Sequence, residues 1–104
     1  MAASTTAPTP SANVINPRPQ SPSFNCAAAT TQSESAICRD PGLCALDRDL
    51  AALYSTRRQG LPDASSKSLR DSQRRWLAER NKCGSDVGCL ATRYRERIVW
   101  LRKS

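Results

Sequence analysis

The chain has 104 residues, enough for one domain and too few for two of ordinary size. With 38% apolar residues, 5% aromatic residues and five cysteines, it cannot fill a large core and is expected to need covalent staples. A formal charge of +7 permits attraction to anionic polymers, lipid or acidic protein clefts, and the lack of any His excludes zinc sites of the Cys/His kinds.

Residues 1–23 are mostly Ala, Ser, Thr, Pro and Asn, with Arg18 the single charge and five of the seven prolines. Such a segment buries too little apolar surface to order itself, so a disordered tether is expected there, leading into a domain over 24–104. Residues 1–24 hold neither an apolar h-region nor a charged n-region, so no signal peptide is visible. Either a native leader has been removed, with Met1 a replacement start, or the chain is cytosolic with its thiols reduced; the first is expected, because the cysteine spacing looks structural. No stretch has the length and apolarity of a transmembrane helix.

Beyond Phe24 the spacing predicts four helices and no strand. The first covers 32–39, where Thr31 and Glu34 stand in the capping-box relation. The second opens at Asp40-Pro41, a good N-cap followed by a proline suited to the first helical position, and runs to 58 with Gly60 to end it. Its apolar stripe is Leu43, Leu46, Leu50, Leu53 and Tyr54. Leu61-Pro62-Asp63 breaks the chain. A third helix is expected over 66–83, capped by Gly84, with Leu69, Gln73, Trp76, Leu77 and Arg80 on one face. Trp76 reads as core. A fourth is expected over 86–103, with Val87, Leu90, Tyr94, Ile98 and Leu101 turned inward and Ser85 or Asp86 as its cap. The turn between the last two helices is so short that they form an antiparallel αα-hairpin.

No two cysteines have the CxxC spacing of a zinc knuckle, so disulfides are the better reading, and disulfides imply an oxidising compartment. Five residues separate Cys83 from Cys89, across a helix end and a helix start; a bridge there pins the corner. Eleven separate Cys26 from Cys38; a bridge there pins the tether's exit to the first helix. Spacing alone leaves other pairings open. Cys44 is the odd one, either a small half-buried apolar residue or the link of a disulfide dimer.

These residues resemble the LprI-type lysozyme inhibitor domain. The resemblance rests on Ser23-Phe24-Asn25-Cys26-Ala27, Ser35-Ala36-Ile37-Cys38 and Leu46-Asp47-Arg48-Asp49-Leu50 with Tyr54. It continues through Gln73-Arg74-Arg75-Trp76-Leu77, Arg80, Cys83, Cys89-Leu90, Tyr94 and Arg97-Ile98. The chain departs from the family pattern at Cys44 and carries Asn25 where Asp is common. The resemblance implies a small helical bacterial protein, periplasmic or secreted, with disulfides Cys26–Cys38 and Cys83–Cys89 and Cys44 as a free thiol. Some members are associated with lysozyme inhibition, which makes a lysozyme-type hydrolase the implied partner.

Asp47 and Arg80 match polar positions of that pattern and are expected to form a structural pair between the second and third helices. Arg93, Arg97 and Trp100 share a face offset from the fourth helix's core stripe, and a Trp between two Arg suits partner binding. Lys67, Arg70, Arg74 and Asn81 fall on the outer side of the third helix, where Asp71–Arg75 and Arg75–Glu79 are expected as solvated i,i+4 pairs. No triad, phosphate loop or isolated carboxylate pair is present, and no Cys has a His partner, so a binder with no cofactor is expected rather than an enzyme. The alternative to muramidase inhibition is a basic module binding an anionic envelope polymer, a lipid surface or another envelope protein. Nucleic acid is not an expected partner, because no aromatic-basic platform for single strands is seen.

Overall fold

A computed structural model describes residues 21–103. Most of the expected tether lies outside the described residues; its end, at Ser23, donates its backbone N–H to Asp47 Oδ2 over 2.5 Å. A 3-10 turn over Cys26–Ala28 precedes four helices: α1 (Gln32–Arg39), α2 (Pro41–Gln59), α3 (Asp63–Asn81) and α4 (Val87–Lys103). No strand occurs among the described residues, and the domain is all-α and stapled by two disulfides.

Local chemistry sets most of the boundaries. Glu34 N–H donates to Thr31 Oγ1 over 3.0 Å while Glu34 Oε1 accepts from Thr31 N–H, so the capping box at α1 is closed. Asp40 Oδ1 accepts from Leu43 N–H at the start of α2, with Pro41 just inside. Asp86 Oδ1 does the same for Cys89 N–H at the start of α4, which settles the choice between Ser85 and Asp86.

α3 begins at Asp63, not 66. Pro62 occupies the N-cap with no side-chain bond, so the break is confined to Leu61-Pro62, and the Asp63 carboxylate stands in the first turn where the helix dipole favours it. α3 also ends earlier than expected, leaving Cys83 in the turn. Gly84 adopts φ +60°, a left-handed conformation that favours glycine, while a Cβ there would meet only the movable end of Gln32, Oε1, at 3.2 Å.

Side-chain pairings give the helix directions. Asp47 meets Tyr94, and Arg57 Nε donates to Leu101 O, so α2 and α4 run parallel. Gln73 meets Arg97 and Arg80 meets Tyr94, so α3 runs antiparallel to α4, as the short corner requires. The α2–α4 contact is the most extensive between helices. α1 closes one end, with Ser33 Oγ donating to Gly84 O over 2.7 Å.

The core holds Ile37, Leu43, Leu50, Leu69, Leu90, Tyr94, Ile98 and Leu101, each such side chain contributing about 1.5–3 kcal/mol on burial. Val87 does not join it. At the first position of α4 it is exposed, on the rim of a groove beside the first turns of α2. Cys26–Cys38 ties the 3-10 turn to the end of α1, and Cys83–Cys89 ties the corner to α4.

Candidate functional site

The polar centre of the fold lies where α2, α3 and α4 meet. Tyr94 O–H donates to Asp47 Oδ1 over 2.7 Å, and Arg80 Nη1 donates to the same hydroxyl oxygen over 3.1 Å. All three side chains are buried. Arg80 also donates through Nε and Nη2 to Asn81 Oδ1. The expected Asp47–Arg80 pair is therefore bridged by a phenol instead of being a direct contact. It also draws in Asn81, which is partly buried and not simply on an outer face. Burial, with the Asp47 charge adding to it, holds the Tyr94 phenol in its neutral, donating form and raises its pKa. Trp76 packs edge-on against Tyr94, with ring centroids 5.1 Å apart. With every member hydrogen-bonded, this centre orients three helices.

The face expected to bind a partner divides into inward and outward parts. Arg97 is only 8% exposed. Its Nε donates to Gln73 Oε1 and its Nη2 to Ser72 Oγ, each over 3.0 Å. Burial lowers its pKa. It is thus a cross-helix brace and not an outward arm. The spacing contains the reason: Leu90, Tyr94, Arg97, Ile98 and Leu101 lie on one helical stripe, and Arg97 fills a core position of it.

The Arg97 guanidinium lies 4.2 Å from the centre of the Trp100 ring, a cation–π distance. Trp100 is 46% exposed, so one part of its surface rests on a fixed cation and another faces solvent. Arg93 is exposed and pairs with Glu96 at 2.6 Å. Together with Trp76 and Glu79 these side chains line a shallow groove between α3 and α4. The groove has two indole walls and alternating charges.

On the outer face of α3, the i,i+4 pairs do not form. Asp71 pairs with Arg70 at 3.3 Å and Glu79 with Lys82 at 2.9 Å. These exposed side chains choose among nearly equal partners, and each pair contributes little.

Cys44 is 2% exposed, and its thiol donates to Ile37 O over 3.0 Å. It is a fully buried free thiol, more enclosed than expected, and in this fold it cannot reach a second chain to form a dimer. Burial, with Asp47's charge adding, raises its pKa and disfavours the reactive thiolate. No group of three or more His, Cys, Asp and Glu able to hold a metal ion occurs among the described residues. Among the described residues, no helix is long and apolar enough to cross a membrane.

Bonding through Gln73 and Ser72 to Arg97, and the bridging role of Tyr94, are not evident from residue types alone. Both connect residues more than twenty positions apart.

No curated protein and no solved structure matches the chain. The model of the family described as lysozyme inhibitor LprI matches residues 25–101, from the 3-10 turn to the end of the core stripe of α4, and the chain belongs to that family.

Proposed function

We propose that the protein works outside the cytoplasm, in the periplasm or secreted, as a stoichiometric inhibitor of a lysozyme-type muramidase. The observation that carries this reading is the family match over nearly the whole described body. Two disulfides in so small a domain support an oxidising setting.

Inhibition proceeds by occlusion. Muramidases of this kind act with two carboxyl groups in an open cleft. Trp100, held by Arg97, is the anchor, and Arg93 is the charge that leaves Glu96 for an enzyme carboxylate. Charge-assisted bonds of this sort strengthen as the cleft closes to water. A rigid helical support keeps the ordering cost of binding low. The protein itself performs no chemistry in this reading.

The test is calorimetric titration of a lysozyme-type muramidase with the oxidised protein. One-to-one saturation that Trp100→Ala weakens by tenfold or more, about 1.4 kcal/mol, supports the reading. Saturation unaffected by Trp100→Ala and Arg93→Ala removes this face from it, and no binding removes the reading itself.

A further inference from the structure

The excess positive charge is not spread over the molecule. α2 and α4 run parallel, so their C-terminal ends lie together, and Arg57 joins them by donating to the carbonyls of Leu101 and Arg102. α3 starts at the same end, where Arg58 Nε donates to Ser66 Oγ over 2.9 Å. This pole, residues 57–71 and 97–103, carries Arg57, Arg58, Lys67, Arg70, Arg97, Arg102 and Lys103 against only Asp63 and Asp71. Elsewhere among the described residues the charges nearly cancel, with eight Lys and Arg against seven Asp and Glu.

The same pole holds three of the four exposed large hydrophobic residues, Leu61, Val99 and Trp100. The fourth, Val87, lies at the other end of α4.

We infer that this pole docks on an anionic phospholipid surface. Basic residues in the last turn of a helix have a modest role at home, because they complement the helix dipole. Arg57 and Arg58 are engaged in that way or by neighbours, with Arg58 also lying 5.9 Å from the Tyr54 ring centre. Arg102 and Lys103 stand in the last turn of α4 and share that modest role, but Lys67, near the start of α3, does not, and all three are exposed with no carboxylate partner among the described residues. Nor does that role account for the exposure of Leu61 and Val99 at the same end of the molecule. A cationic surface with exposed Leu and Val side chains is the combination that gains from both layers of a lipid interface: phosphate at the surface and the acyl boundary just below. A soluble anionic polymer satisfies the charges but offers no apolar phase for Leu61 and Val99. The pole adjoins the proposed inhibitory face and shares Arg97 and Trp100 with it, but its test uses Leu61, Lys67, Arg102 and Lys103, which have no part in that reading, so the two fail separately.

The experiment is co-sedimentation of the oxidised full chain with vesicles of phosphatidylglycerol and phosphatidylcholine, beside vesicles of phosphatidylcholine alone. Binding is expected to the anionic vesicles only. Replacing Lys67, Arg102 and Lys103 together by Ala is expected to lower the partition coefficient about a hundredfold, from the usual contribution per basic residue near an anionic surface. Leu61→Ser, a turn substitution that leaves the core intact, is expected to lower it several-fold. The control Arg39→Ala/Arg48→Ala removes two exposed cations away from the pole and is expected to change partition much less. Equal binding to neutral vesicles, a control as weak as the pole variant, or binding to polyglutamate without binding to vesicles would each overturn the inference.

Discussion

Asp47 and Arg80 face each other through the hydroxyl of Tyr94, which donates to the carboxylate over 2.7 Å and accepts from the guanidinium over 3.1 Å. Removing that oxygen leaves two buried charges each short of a partner. Tyr94→Phe is expected to destabilise the domain by about 3 kcal/mol, the scale for hydrogen bonds to buried charged groups, read as a shift of the urea midpoint at unchanged slope. The raised pKa of Tyr94 sets the alkaline behaviour. Its stabilising contribution is complete below the ordinary tyrosine value of 10.0 and is lost as pH rises through the folded-state value. A loss below about 0.5 kcal/mol in Tyr94→Phe would show that the bridge is incidental.

Arg97 and Trp100 should separate stability from binding. Arg97→Met removes the brace to Gln73 and Ser72 and is expected to cost about 2 kcal/mol in thermal or urea unfolding. Trp100→Ala removes a half-exposed ring from the edge and is expected to cost about 1 kcal/mol or less. Equal costs would contradict the division of this face into an inward brace and an outward anchor.

Glu34 gives an acid-side prediction. The Thr30 backbone N–H, with help from Thr31, lowers its pKa below 4.5 in the folded chain. A depressed carboxylate stabilises above its unfolded value and loses that contribution as pH falls through the folded one. Glu34→Ala is therefore expected to be about 1 kcal/mol less stable than the wild type at pH 7, the scale of a helix cap. The gap should close as the pH falls below 4.5. A gap constant from neutral to acid pH would place the cost elsewhere.

Cys44 should report unfolding. Its thiol is buried against Ile37 O and its pKa is raised, so alkylation by iodoacetamide at pH 8 is expected only on the time scale of opening. Rapid labelling in the native, oxidised protein would contradict the enclosure of this side chain.

Much of this fold was legible in sequence because its signals are local. The Thr31/Glu34 box, Asp40-Pro41 and Gly84 each act within a few residues, and the Leu43/Leu50 and Leu90/Leu101 stripes follow helical spacing. Pro62 opens α3 as an N-cap with no side-chain bond, so the helix starts at Asp63, inside the segment expected to break the chain. The site was less legible. Arg97 on a core stripe looks like a surface cation until Gln73 and Ser72 are brought beside it by the antiparallel corner. Asp47 and Arg80 do not pair directly, and the phenol between them comes from a third helix.

The most direct test of the account is hydrolysis of bacterial cell walls by a lysozyme-type muramidase against increasing oxidised protein, at low and at physiological salt. Occlusion of a cleft predicts inhibition that saturates at one inhibitor per enzyme, survives the higher salt and fails on reduction of the Cys26–Cys38 and Cys83–Cys89 bonds. Full activity at large molar excess, or inhibition that disappears at physiological salt, would contradict it.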